Sequence, residues 1–279
     1  MNTMTSTPPP SPIGQLIRTW RNRRHLTQME LALDAEISTR HLSFLETGRS
    51  QPSREMIERL ATQLEIPLRE RNSLHVAAGF APIHPERTID ELATTETWRA
   101  IEAILAGHAP HPALAVDRHW NLVVANRPAQ ALFAALGLGA PPPAGNILRA
   151  TFHPHGLARF IENLPEWRAH MLDRLTRQVA RTADPELAAL YEELLAYPSP
   201  EPDPEPAHDT DHYGGLAVTL QLRAPTGHLR FVYATTLIGS PRDVTLSEIG
   251  IESFFPADAE TAAQIAVLAK EGPDVAPAI

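Results

Sequence analysis

The stretch Leu26–Gly48, LTQMELALDAEISTRHLSFLETG, predicts two short helices joined by a tight turn. Thr27 precedes the first helix and Glu30 follows three residues later, which is the spacing of a capping box. Ser38 is in position to cap the second helix, because its hydroxyl can accept a hydrogen bond from an early backbone amide. Gly48 ends that helix, since a terminal residue with positive φ is cheapest as glycine. The stretch therefore has the form of a helix-turn-helix unit, which can place its second helix in a DNA groove.

The second of these helices has two distinct faces. Leu42 and Leu45 lie three residues apart and are expected to pack inward. Thr39, Arg40 and Ser43 then lie on the face that does not pack. This outward face is the predicted contact surface.

Three further helices complete a small bundle around this unit. The apolar spacing predicts one helix over Ile13–His25 and another over Arg54–Leu64, the latter capped by Ser53. A fifth begins at Pro67 and ends near Gly79. Five helices with short links are enough for a domain that folds alone.

Composition indicates a globular chain of more than one domain. Its 279 residues, 43% of them hydrophobic, supply apolar surface for two cores. The sequence contains no cysteine, which excludes disulfides and thiolate chemistry. It has no long apolar run for a membrane span, and its start lacks the parts of a signal peptide. We therefore expect a cytoplasmic protein that makes no contact with a membrane.

The charge is unevenly distributed along the chain. The net charge is −9. Residues 1–80 hold ten arginines and eight acidic residues, a net charge of +2, whereas the remainder carries −11. The first part is therefore compatible with nucleic acid, but it offers few phosphate contacts per chain.

The chain order predicts four segments. Residues 1–11 are rich in Thr, Ser and Pro and are expected to form a flexible arm. Residues 12–80 form the helix-turn-helix domain, and residues 81–90, with two prolines, form a linker. Residues 91–272 form a second domain.

The first domain resembles the lambda-repressor-like, XRE-type helix-turn-helix family. The resemblance rests on LIRTWRNRRHLTQMELALDAEISTRHLSFLETGRSQPS and extends over the five-helix unit. It implies phosphate contacts from Gln28 and Arg49, and a base-reading surface that includes Thr39, Arg40, Ser43 and Phe44. Ser38 is also expected to contact DNA. Phe44 could instead touch a thymine methyl or pack inside. The family pattern also implies an ion pair between Arg21 and Glu46 that joins the first helix to the end of the third.

The second domain combines β-strands with a block of helices. A helix is expected over Ile89–Leu105, followed by a β-hairpin in ALAVDRHWNLVVAN at residues 113–126. Residues 127–196 return to helical periodicity, and the Pro- and acid-rich residues 198–209 form an exposed loop. Three antiparallel strands follow in GLAVTLQLRA, HLRFVYATTLIG and DVTLSEIGIESFFPAD, before a last helix over residues 257–269. This order predicts an α+β, PAS-like domain with helices on one face of an antiparallel sheet and a pocket between them.

The second domain also resembles the MmyB-like ligand-binding domain of bacterial regulators. The matching segments are VDRHWNLVVANRPA, NILRATFHPHGLARFIENLPEWRAHML and LIGSPRDVTLSEIGIESFFPADAET. The resemblance implies a regulator whose pocket holds a fatty acid or a similar small apolar molecule. No cofactor is required.

The residues for such a ligand follow from its chemistry, because an apolar chain needs an apolar tunnel and a buried carboxylate needs a partner. The tunnel candidates are Trp120, Phe133, Leu148, Phe152, Trp167, Met171, Phe231 and Tyr233. The head-group candidates are Arg149, His153, Arg168 and His170. The alternative for the aromatic residues and Met171 is ordinary core packing, and for the arginines it is solvation.

Other functions have little support in the sequence. His153 and His155 form an HPH triplet, but they have neither a cysteine nor a nearby carboxylate to complete a metal site. No catalytic motif positions a nucleophile, so we do not expect an enzyme. The sequence predicts a regulator that binds a DNA operator as a homodimer and senses a small apolar ligand. The alternative is that the second domain serves only dimerisation or partner docking.

Overall fold

The computed structural model describes residues 12–138, 145–198, 218–239 and 241–271. The chain divides into two compact units. One unit comprises Met1–Glu86, Ala180–Ala183 and Arg242–Val244, and the other Arg87–Val179, Asp184–Pro241 and Thr245–Ile279. The predicted flexible arm and most of the predicted acidic loop lie outside the described residues.

Five helices make up the described core of the first unit. They are α1 (Pro12–Arg23), α2 (Gln28–Asp34), α3 (Thr39–Glu46), α4 (Arg54–Gln63) and α5 (Leu68–Ala77). The predicted capping box is confirmed, since Thr27 and Glu30 each accept from the other's backbone N–H. Ser38 and Ser53 cap α3 and α4 by accepting from the backbone amides of His41 and Met56. Gly48 has φ +74, as expected for the residue that ends α3.

The middle of α5 is tied to residues beyond its end through the side chain of Asn72. The side-chain oxygen of Asn72 accepts from the backbone amides of Ile83 and His84, each at 3.0 Å, and its amide nitrogen donates to the His84 carbonyl at 2.8 Å. Residues 83 and 84, in the predicted linker, are therefore held against α5.

The second unit contains eight helices and one 3-10 turn in its described residues. They are α6 (Ile89–Ala93), α7 (Glu96–Gly107), α8 (Arg127–Ala135), α9 (Ile147–Phe152), the 3-10 turn Leu157–Phe160, α10 (Leu164–Thr182), α11 (Pro185–Ala196), α12 (Val244–Ser247) and α13 (Ala259–Glu271). No described helix is both long and apolar enough to cross a membrane.

The described strands of this unit form one antiparallel sheet. They are β1 (Ala113–Val116), β2 (Leu122–Ala125), β3 (Leu220–Ala224), β4 (Gly227–Leu237) and β5 (Gly250–Pro256), in the order β2-β1-β5-β4-β3. Every pairing is antiparallel, and β4 and β5 share the longest one. The predicted fold class, an all-α domain followed by an α+β domain, is confirmed.

The prediction that helices cover only one face of the sheet is wrong. All four residues of β1 are buried. Leu114 and Val116 belong to one core, whereas Ala113 and Ala115 belong to another, together with Trp98 of α7. A strand without alternating polar residues has two buried faces, and α7 covers the second one.

Two predicted elements are also divided differently. The single helix expected over Ile89–Leu105 is two helices, because Thr95 accepts from the Trp98 amide and caps α7 as a new start. Val244–Ser247, predicted as the beginning of a strand, is the short helix α12.

Candidate functional site

The outward face of α3 carries the predicted contact residues. Thr39 and Arg40 are exposed, and Ser43 is half-buried. Leu42 and Leu45 are fully buried beneath them, as their spacing predicted. Ser38, also exposed, accepts from the His41 amide at 3.1 Å. The amphipathic helix thus has one polar face in solvent that other molecules can reach.

Phe44 lies between the two arginines of this surface. The Arg40 guanidinium is 5.3 Å from the centre of the Phe44 ring, and that of Arg49 is 5.9 Å from it. Phe44 itself is half-buried. One ring therefore supports both a predicted base contact and a predicted phosphate contact.

A buried ion pair fixes α3 to α1. The Arg21 Nε and Nη2 atoms donate to Glu46 at 2.6 and 3.1 Å, and a third donor reaches Glu46 from Gln28 at 2.7 Å. Arg21 also donates to the Leu26 carbonyl at 2.8 Å. The predicted Arg21–Glu46 pair is confirmed. Gln28 is oriented by Glu46 at the start of α2, and its phosphate contact stays a prediction.

The second unit contains a partly open cavity of about 70 Å³. Its wall is formed mainly by α8, α9, α10 and the sheet. Nineteen residues line it: Pro112, Leu114, Trp120, Ala129, Leu132, Phe133, Leu136, Ile147, Leu148, Thr151, Leu157, Trp167, Met171, Leu220, Leu222, Phe231, Tyr233, Glu252 and Phe254. The wall is therefore almost entirely apolar and suits an apolar guest.

The predicted tunnel residues agree closely with this wall. Seven of the eight line it, namely Trp120, Phe133, Leu148, Trp167, Met171, Phe231 and Tyr233. Phe152 does not: it is fully buried in the surrounding core. It belongs to α9, and its side chain serves packing there.

Arg149, His153 and Arg168, three of the four predicted head-group residues, do not line the cavity. Arg149 is paired with Glu193 at 2.8 Å, which raises the pKa of Arg149. Arg168 donates to the Leu194 carbonyl at 2.7 Å. His153 is exposed, with its ring against Tyr197. Helix α11 supplies partners for both arginines. Contact of these three side chains with a ligand stays a prediction.

His170 reaches the wall indirectly. Its ring bonds the Tyr233 hydroxyl and lies 5.9 Å from Trp167. Burial lowers the pKa of His170, and the positive charges of Arg174 and Arg177 lower it further. His170 is therefore uncharged near neutral pH.

The sequence did not predict the ion pair between Arg174 and Glu252 at the cavity wall. Arg174 donates to both carboxylate oxygens of Glu252, at 2.6 and 2.9 Å, and Thr235 donates to the same group at 3.0 Å. Burial disfavours the charged form of Arg174, but the bonds to Glu252 outweigh it, so the pKa of Arg174 is raised. The guanidinium lies 4.5 Å from the Trp120 ring centre. Arg174 lies seven residues after Trp167 on α10, and this spacing returns to the same helix face. The spacing was the signal in the sequence that Arg174 lies near the wall.

No group of three His, Asp or Glu side chains that could hold a metal ion is found among the described residues. The His153 and His155 rings lie 5.5 Å apart.

Residues 98–268 match the sequence model of a family described as the MmyB-like transcription regulator ligand binding domain. Residues 12–74 match that of a helix-turn-helix domain. A solved complex of the SinR protein with the SinI protein is similar over 35% of this chain and 82% of that chain, at 21% identity. Its TM-score of 0.20 is too low to carry an argument. No curated protein matches the chain.

Proposed function

The chain belongs to the MmyB-like transcription regulators, and from this premise we propose how it performs ligand-responsive regulation. Its first unit binds a specific DNA operator as part of a homodimer in the cytoplasm. Its second unit holds a small apolar molecule in the cavity, with an acyl chain such as that of a fatty acid as the first candidate. Occupancy of the cavity changes operator affinity.

The observation that carries this proposal is the apolar cavity in a chain whose helix α3 also has a polar face exposed to solvent. An apolar guest gains free energy by leaving water, and this wall gives it aromatic and aliphatic contacts. The cavity is small, so an extended chain would need some wall side chains to move. Phe133 and Leu132 are half-buried and are suited to such movement.

The DNA-binding part is supported by the α3 surface. Arg40 can make a bidentate contact to guanine, worth about 1–3 kcal/mol of discrimination between bases. Arg49 suits a phosphate, which carries no sequence information. The residues up to Phe80 carry a net charge of only +2. So small a net charge allows few phosphate contacts per chain. We therefore expect two helix-turn-helix domains to bind a palindromic site together, with half-sites about one helical turn apart.

The DNA-binding proposal is tested with two arginine variants. Selection of bound fragments from a random DNA pool first supplies the operator. Arg40→Ala is expected to weaken binding unevenly across base variants of that operator. Arg49→Ala should weaken binding about equally for all variants and lower the salt slope by about one unit. A uniform loss from Arg40→Ala would remove Arg40 from the base-reading surface.

The sensing proposal is tested by two measurements on the full chain. Mass spectrometry of a lipid extract from the purified protein is expected to find a stoichiometric apolar molecule. Operator affinity is then compared with the cavity empty and saturated, because a ligand shifts the equilibrium only through differential affinity for two states. If operator affinity is the same with the cavity empty and saturated, the proposal that the ligand changes operator binding is refuted. If no bound molecule is found, dimerisation or partner docking becomes the proposed function of the second unit.

A further inference from the structure

Trp167 has a buried indole N–H with no hydrogen-bond partner in the described part of the chain. The residue is only 4% exposed, and its side chain forms part of the cavity wall. Buried donors in folded proteins are nearly always paired, because an unpaired one has lost its bond to water without replacement. The indole nitrogen is closed to water in this structure, so a guest in the cavity reaches this donor only when neighbouring wall side chains move.

The other two tryptophans of this unit have partners. Trp120, which also lines the cavity, donates to Gln178 at 2.9 Å. Trp98 donates to Glu102 at 3.0 Å. The missing partner of Trp167 is thus not a general property of the indoles in this unit.

The charge around the cavity limits what kind of acceptor can bind there. Among the described lining residues the only carboxylate is Glu252, and none is Lys, Arg or His. Arg174 is bonded to both oxygens of Glu252, so its charge is already balanced. A bound carboxylate would meet an ion pair whose two charges already balance and no unbalanced cation, and a buried unpaired charge is costly.

Trp167 and this ion pair lie at the same end of the cavity. The Trp167 and Tyr233 ring centres are 5.2 Å apart, and the Arg174 guanidinium is 5.7 Å from the Tyr233 ring centre. An anion bonded to Trp167 would therefore find no free cation beside Tyr233, whereas an uncharged oxygen needs none.

We propose that the cavity selects apolar molecules with an uncharged hydrogen-bond acceptor, such as the carbonyl oxygen of an ester, amide or lactone, and that Trp167 donates to that oxygen. A fatty acid enters as its uncharged carboxylic acid rather than as the carboxylate. This inference rests on the proposed ligand-binding function and adds the chemistry of the head group.

The first experiment uses the unaltered full chain and three probes with chains of equal length: methyl decanoate, decanoate and decane. Calorimetry at pH about 8, where the carboxylate is ionised, gives their affinities. Methyl decanoate is expected to bind most tightly. Proton–nitrogen correlation spectra follow the indole N–H signals, and the Trp167 signal should move downfield with methyl decanoate but not with decane.

The second experiment compares two matched variants. Trp167→Phe keeps an aromatic ring and removes the donor, so it should cost methyl decanoate about tenfold in affinity and decane little. Trp120→Phe also removes an indole from the wall, but its donor is already bonded to Gln178. It should therefore change the affinities of both probes by a similar factor. If Trp167→Phe does not fold, the Trp167 signal is still assigned by elimination from Phe variants of the other three tryptophans.

The outcomes separate the head-group inference from the proposed function. Tighter binding of decanoate than of methyl decanoate would overturn the uncharged acceptor. Equal binding of methyl decanoate and decane, with a stationary Trp167 signal, would overturn the role of Trp167 while leaving an apolar-ligand site. Failure of all three probes to bind would remove the ligand-binding function and this inference with it.

Discussion

The Phe44 ring contacts two arginines, Arg40 and Arg49, for which the sequence predicts different roles. Neither of the two interpretations of Phe44, a thymine contact or an inward core residue, therefore describes it fully. A long arginine loses rotamer freedom when it binds. Because stacking on Phe44 restricts both guanidiniums beforehand, part of that entropy is lost before DNA arrives.

Phe44→Ala is therefore expected to weaken operator binding by about tenfold, since two arginines that are no longer restricted beforehand would each lose about 0.5–1.5 kcal/mol more on binding. Fluorescence anisotropy with labelled operator measures the loss. Val76→Ala, which removes part of a side chain that is 57% exposed on α5, serves as the control and should leave affinity unchanged. Unaltered affinity of a folded Phe44→Ala protein would show that the stacking has no role in binding.

His170 gives the second unit a stability that depends on pH. Burial, then Arg174 and Arg177, lower the pKa of His170 from its ordinary value of 6.5. Below pH 6.5 the unfolded chain therefore binds a proton that the folded chain resists. Above the pKa that His170 has in the unfolded chain, this residue does not reduce the free energy of unfolding. As the pH falls from that value toward the lower pKa of the folded chain, the free energy of unfolding decreases.

Urea unfolding at pH about 7.5 and about 5.5 tests this dependence. The unaltered protein should lose more stability between the two values than His170→Gln, which keeps a side-chain acceptor for Tyr233 but does not titrate. Equal losses in the two proteins would contradict the assignment to His170.

At the scale of elements, α1 and α3 approach too closely for any side chain at Gly14. A Cβ there would lie 2.4 Å from the Leu45 carbonyl oxygen and 2.7 Å from that of Glu46. Both atoms belong to the backbone and cannot rotate away. The Arg21–Glu46 pair holds the same two helices together. Gly14 thus sets the distance between the helices, and the ion pair sets their register.

Gly14→Ala is expected to lower the free energy of unfolding by about 1–3 kcal/mol, the usual cost of overpacking. Gly107→Ala is the matched control, because a Cβ at Gly107 would meet nothing within 4 Å. It should be neutral or add up to about 1 kcal/mol through helix propensity. Urea unfolding of the full chain, followed by circular dichroism, measures both. A neutral Gly14→Ala would refute the close approach.

Local signals predicted most of the elements, and the errors have physical causes. The caps Thr27 and Ser38 act within three residues, so their geometry could be inferred directly. Thr95 has the same kind of signal, but apolar periodicity on both sides of it favoured one continuous helix. The second buried face of β1 depends on α7, whose packing against the sheet no local pattern encodes.

At the scale of the whole molecule, the units have separate apolar cores. The core of the first unit includes Leu42 and Leu45, whereas the cavity is surrounded by the core that includes Trp167 and Phe231. A ligand that binds only the folded second unit stabilises that unit by mass action.

Hydrogen exchange of the full chain should therefore change unevenly when ligand is added. At about 100 times Kd, amides of the second unit that exchange by unfolding of that unit should gain about 2.7 kcal/mol of protection. Amides in α1 and α4 should gain much less. Equal protection throughout the chain would indicate that the two units unfold as one.

The candidate sites were predictable to different degrees. Seven of the eight predicted tunnel residues line the cavity, because large apolar side chains are usually buried and an apolar wall is built from them. The polar partners were not predictable in this way. Arg149 pairs with Glu193, 44 residues away, and Arg174 pairs with Glu252, 78 residues away. Which arginine meets which carboxylate is decided by the fold and not by local spacing.

The helix α10 carries most of the chemistry at the polar end of the cavity. Trp167, His170, Met171 and Arg174 share one of its faces. Replacing two or three of these side chains would alter head-group preference while leaving the strand pairing and the outer face of α3 unchanged. A regulator built this way can acquire a new effector by a few mutations in one helix and keep its set of target genes.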